Sequence, residues 1–165
     1  MKIRTEHFNL GSALIQIAAD DSFTAINPLR LQGKKINNAF LINTDTCVFL
    51  KYGQEPKQTG EYQFTFTTDH LQSMYGAEQH YRKIFIGLVC VEDQEICCLD
   101  IGQLKSMIEA RIATAGNEED SYQILVKVPE GKSLRAYANA AGRRGMIAGQ
   151  ETIISRSRFP GCLFE

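Results

Sequence analysis

Lys83–Asp100 reads KIFIGLVCVEDQEICCLD, and the fold class turns on this stretch. In an extended chain Ile84, Ile86, Leu88 and Cys90 point to one side, and Phe85, Val89 and Val91 to the other. Both faces are apolar, the pattern of a strand covered on both sides. Glu92-Asp93-Gln94-Glu95 is polar and short enough for a hairpin connection, and Ile96–Leu99 is again apolar on both sides. Two adjacent buried strands are expected, at the centre of a sheet.

Working outward, Asp100 and Gln103 form a D-x-x-Q capping pattern ahead of Leu104, Met107, Ile108 and Ile112 at helical spacing. This predicts a helix over Ile101–Ala113, ended by Gly116-Asn117. On the other side Tyr62, Phe64 and Phe66 alternate with Gln63, Thr65 and Thr67, a half-buried strand. A helix over Asp69–Gln79, capped by Thr68 or Asp69, carries Leu71, Met74 and Tyr75 into the central hairpin.

Further hairpins are expected from Ala39–Ile42 with Cys47–Tyr52, and from Ile124–Val128 with Leu134–Ala138; a last strand is expected at Thr152–Ser155. Ala13–Ile17 and Phe23–Ile26 flank Ala-Ala-Asp-Asp-Ser and are read as one more hairpin, which Asn27-Pro28 then breaks. Gly33-Lys34-Lys35 and the polar Gly53–Gly60 stretch read as exposed loops. With no repeat or linker, residues 1–165 are read as a single α+β domain: a hairpin-rich, mostly antiparallel sheet with two helices.

The 165 residues are 44% hydrophobic and 22% charged, which argues against global disorder. No apolar run approaches the roughly 18 residues of a membrane span, and MKIRTEHFNLGS has no apolar signal region, so a soluble, cytoplasmic protein is expected. Cys47, Cys90, Cys97, Cys98 and Cys162 are odd in number, and four of the five lie in or beside strand-like runs. They read as reduced thiols acting as small hydrophobes.

Net charge is −1, but it is unevenly distributed. Glu92–Asp120 holds eight acids against Lys105 and Arg111, whereas Lys127–Arg158 holds seven basic residues against Glu130 and Glu151. In the basic C-terminal third, about residues 122–165, Lys132, Arg135, Arg143, Arg144, Arg156 and Arg158 are the candidate nucleic-acid-binding residues. Tyr137 and Phe159 are candidates for stacking on bases. Such a surface suits nucleic acid or an acidic protein; the plainer reading is charge complementarity within the molecule.

Asn43-Thr44-Asp45, then Phe49-Leu50-Lys51, then the Tyr62–Phe66 strand and a helix, resemble in outline the core of PD-(D/E)xK nucleases. That resemblance implies a divalent metal, Mg2+ or Mn2+, held by acids at a phosphate, with lysine orienting water. Asp45 and Lys51 would take those roles, with Glu61 as a substitute acid. The sequence departs from the pattern at Phe49, which stands where the acid two before lysine belongs. His7, His70 and His80 are scattered, and no zinc-ligand spacing, H-E-x-x-H, G-x-S-x-G, P-loop or G-x-G-x-x-G occurs. The expected function is therefore a non-catalytic binding or adaptor protein, with the metal-dependent nuclease as the alternative.

Overall fold

The computed structural model describes residues 1–142 and 145–165. Its first element corrects the sequence reading: Thr5–Ala18 is a helix, α1, where a hairpin strand was expected. Asn9, Leu10, Ala13 and Ile17 are its buried residues, spaced to share one helical face. The Ala-Ala-Asp-Asp-Ser run, expected as a hairpin turn, instead spans the helix end, with Ala18 the last residue of α1. The expected break at Pro28 also gives way, because Ile26–Leu31 forms strand β1 with Pro28 inside it. Proline lacks an amide donor and is tolerated there because β1 is an edge strand; its register with the next strand shifts between Pro28 and Arg30.

The chain continues through β2 (Lys34–Ile42), β3 (Thr46–Gly53), β4 (Glu61–Thr67), α2 (Thr68–Glu78), β5 (Lys83–Cys90), β6 (Glu95–Asp100) and α3 (Ile101–Ala115). It ends with β7 (Ser121–Lys127), β8 (Leu134–Asn139), β9 (Ile147–Ile154) and a short 3-10 turn at Gly161–Phe164. The described residues thus form an α+β chain of nine strands and three α-helices, with mostly antiparallel pairing.

These strands make two sheets. The first has the order β1-β2-β3-β5-β6 and the second β4-β7-β8-β9. The β5–β6 hairpin forms as expected but not at the sheet centre: β3 is central, and β6 is an edge strand. β3 and β5 run parallel, which a tight turn cannot achieve; the excursion through β4 and α2 supplies the long crossover. β4 belongs to the second sheet, where it pairs with β7, with Phe64 opposite Ile124.

Around β3, β5 and β6 the first sheet is covered on both sides, which explains why these strands are apolar on both faces. On one side Leu10, Ala13 and Ile17 of α1 pack with Ile42, Val48, Leu50, Phe85, Val89 and Ile96, joined by Phe159 and Leu163 from the C-terminal segment. On the other, Cys47, Phe49, Ile86, Leu88 and Leu99 meet α2, α3 and the inner residues Tyr62, Phe64, Phe66, Ile124 and Val126 of the second sheet. Each such buried aliphatic side chain contributes about 1.5–3 kcal/mol by leaving water. Gly87 pairs with Leu50 across the parallel strands, and a Cβ at Gly87 would lie 2.8 Å from Leu50 Cδ2. No described helix is long and apolar enough to cross a membrane.

Candidate functional site

The alternation of β3 decides where Lys51 goes. Cys47 and Phe49 face the layer of α2 and the second sheet, and Lys51, two residues on, continues that row at its solvent end. Across from it, β2 pairs with β3 from Ile42–Thr46 to Ala39–Phe49 and no further. The next residue, Asn38, has φ 55°, a left-handed conformation that asparagine tolerates better than most residues. Past Asn38 the two strands are unpaired, and a cleft of about 590 Å³ opens there. Lys34–Asn38 of β2, Phe49–Tyr52 of β3, Gln63–Thr65 of β4, and Asp69, His70, Ser73 and Met74 of α2 line it.

Phe49, Phe64, Ile36 and Met74 give the cleft an apolar lining, and Asn37, Asn38, Gln63, Thr65 and Ser73 supply donors and acceptors. Its charge is unbalanced: Lys34, Lys35 and Lys51 face a single lining carboxylate, Asp69. Lys51 Nζ lies 3.0 Å from His70 Nδ1 and 4.9 Å from the centre of the Phe66 ring. Burial lowers the Lys51 pKa to about 8, because the ammonium loses hydration there. His70 is likewise lowered, first by desolvation and then by the Lys51 charge.

The His70 tautomer follows from its contacts. His70 occupies the third position of α2, where its backbone N–H donates to the Thr67 hydroxyl at 3.3 Å and the Thr67 N–H donates to Nδ1 at 3.2 Å. Nδ1 thus accepts from both Thr67 N–H and Lys51 Nζ, which makes it the unprotonated nitrogen of a neutral imidazole.

The other candidate acids lie elsewhere. Asp45 is in the turn before β3; Lys51 lies six positions further along, about 20 Å at the usual strand rise. It bonds locally, accepting from the Thr46 hydroxyl at 3.1 Å, and its carbonyl accepts from Lys83 N–H. Glu61 opens β4 opposite Lys127 and accepts from the Thr59 hydroxyl. The structure therefore does not bring Asp45, Glu61 and Lys51 into one site. Among the described residues no three His, Cys, Asp or Glu side chains gather in a set able to hold a metal ion.

The basic C-terminal residues divide. Arg158 donates to the Cys98 carbonyl at 3.1 Å, Gln103 Oε1 at 2.6 Å and Asp100 Oδ2 at 3.1 Å. Arg156 donates to Glu95 Oε1 at 2.9 Å, the Lys132 carbonyl at 2.7 Å and the Pro129 carbonyl. Both guanidiniums thus tie the basic segment to the acidic one. Arg135 donates to the carbonyls of Ser133 and Leu134. Lys132 lines a shallow depression with Ser133, Ser155 and Ser157. Arg143 and Arg144 lie outside the described residues. The stacking candidates are both buried, Tyr137 at 5% exposure under Lys127 and Phe159 at 5% in the α1 core.

Sequence reasoning singled out Lys51 but missed its companions. Lys34 and Lys35 fall in a stretch whose sequence reads as loop but which opens β2, and His70 is one of three histidines scattered in the sequence. The T-x-x-H spacing of Thr67 and His70 is the one local signal that pointed to an ordered imidazole. The chain matches no protein-family model, no curated protein and no solved structure.

Proposed function

We propose that this chain is a single-domain binding protein whose cleft between β2, β3, β4 and α2 takes a small organic anion with an apolar or aromatic body. The observation that carries this reading is Lys51, desolvated on Phe66 and bonded to a neutral imidazole, with no carboxylate partner among the described residues. A ligand anion would supply the counter-charge that the cleft's three lysines, Lys34, Lys35 and Lys51, together lack. Lys34 and Lys35 add positive charge along the β2 wall, the amide side chains offer orientation, and the cleft volume suits a nucleotide-sized molecule. Five unbridged, buried cysteines support a reducing compartment such as the cytoplasm.

The broader reading, contact with nucleic acid or an acidic protein through residues 122–165, rests on Lys132, Arg135, Arg143 and Arg144, since Arg156 and Arg158 are held by the protein's own acids. A nuclease centred on Lys51 would need its metal-binding acids from positions other than Asp45 and Glu61.

Calorimetric titration with two aromatic phosphate esters, adenosine monophosphate and pyridoxine 5′-phosphate, tests the cleft. Binding is expected to weaken about tenfold or more in Lys51→Met and in the paired Lys34→Ala, Lys35→Ala variant, the size of a lost charge-assisted hydrogen bond. Affinity equal to wild type in both variants overturns the site assignment.

A further inference from the structure

We infer that Lys51 is a nucleophilic lysine, forming an imine with a carbonyl group on the ligand of this cleft; the ligand class is then an aldehyde or ketone carrying phosphate or carboxylate. The inference rests on the reading of the cleft as an anion site and names the chemistry of its occupant.

Three features of the geometry point to it. Lys51 is among the residues lining the cleft, as is its partner His70, so a bound molecule lies beside them. Its partner at 3.0 Å is the uncharged His70 Nδ1, whereas a carboxylate there would hold the ammonium charged. The Phe66 ring lies 4.9 Å from the amine and shields that side from water. A lysine desolvated against apolar side chains is a usual arrangement of an activated amine. Consistent with this, its pKa of about 8 leaves a share of free amine near neutral pH.

The step balances without an oxidant. The free amine adds to the carbonyl carbon, the carbonyl π pair moves to oxygen, and one proton passes from nitrogen to that oxygen through solvent. The resulting carbinolamine loses its hydroxyl as water as the C=N bond forms. Amine and carbonyl become imine and water, and Lys34 and Lys35 are placed to bind the ligand's anionic group.

The test is pyridoxal 5′-phosphate, an anionic aldehyde, followed by borohydride reduction and peptide mapping of the wild-type chain. Lys51 is expected to be labelled about tenfold faster than any of the other eight lysines, since both its free-amine fraction and its anion site favour it. Labelling at Lys51 should fall when excess pyridoxine 5′-phosphate, which has the phosphate but no carbonyl, competes. Binding of pyridoxine 5′-phosphate with label spread over the exposed lysines overturns the imine and leaves the anion cleft standing. If neither compound binds and no lysine is preferred, both readings fall. Lys51→Arg, checked for folding by circular dichroism, should lose the imine absorbance while the remaining lysines label as before.

Discussion

Lys51 Nζ and His70 Nδ1 lie 3.0 Å apart, two basic groups in contact at a cleft where neither has a carboxylate partner among the described residues. This arrangement costs stability in a way that pH reveals. The Lys51 pKa falls from an ordinary 10.5 to about 8 on folding. Between those values the unfolded chain binds more protons, so stability rises with pH across that window, and below it the penalty for the buried ammonium is fully present. Lys51→Met should therefore raise the urea midpoint at pH 7, and the gain should shrink from pH 8 to 10.5. Because the ammonium keeps part of its hydration, the gain should be smaller than the shift alone implies. A midpoint at pH 7 equal to or below that of wild type would contradict the assignment.

Gly87 offers a sharper structural test, since a Cβ there would meet Leu50 Cδ2 at 2.8 Å inside a filled layer. Gly87→Ala should destabilise by about 1–3 kcal/mol through overpacking. Leu50→Ala alone should cost about 2–5 kcal/mol by leaving a cavity. The double variant should lose less than the sum of the two, because the new methyl partly fills the space that Leu50 vacates. Additive losses in urea denaturation would show that the two sites do not share that space.

What the sequence made legible follows from how local each interaction is. The helix α3 could be read because its ends are set by neighbours: Gln103 N–H donates to Asp100 Oδ1 at 2.8 Å, Asp100 N–H donates to Gln103 Oε1 at 3.0 Å, and Gly116 takes the left-handed φ of 82° that ends it. The alternation of Tyr62, Phe64 and Phe66 identified β4 as a half-buried strand, but alternation does not say which strand lies alongside. That partner, β7, is about sixty residues away and forms a second sheet. α1 was misread because its apolar run was short and Ala-Ala-Asp-Asp-Ser resembles a turn. In the cleft, Lys51 stands out in the sequence through the outline of a nuclease core. The unpairing at Asn38 and the approach of His70 depend on tertiary structure and left no comparable trace.

The five thiols should differ in reactivity. Burial pushes Cys47 and Cys97 up to about 12 and raises Cys90 as well. Cys98 and Cys162 touch, Sγ to Sγ at 3.4 Å; their hydrogen bond raises Cys98 and lowers Cys162, with the Arg158 charge acting in the same sense on Cys162. Thiolate is the reactive form, so iodoacetamide under native conditions should modify Cys162 before the other four. Mass spectrometry of the alkylated peptides reads the order, and prior labelling of Cys47 or Cys97 would contradict the packing described.

Arg156 and Arg158 separate an internal role from a polyanion surface. Both guanidiniums already bond acids and carbonyls of the 92–120 segment or the adjoining loop, Arg158 to Asp100 and Arg156 to Glu95. Arg158→Ala should cost about 1–3 kcal/mol, since it removes charge-assisted bonds to Asp100, Gln103 and the Cys98 carbonyl; Arg158→Lys should recover only part, having no planar fork to reach all three. Neither change should alter affinity for a labelled oligonucleotide. If the basic third does bind nucleic acid, Arg143→Ala with Arg144→Ala should weaken it and flatten its dependence on salt, because those contacts would displace counterions. A loss of oligonucleotide affinity in Arg158→Ala without a loss of stability would mean that this guanidinium faces a partner rather than Asp100.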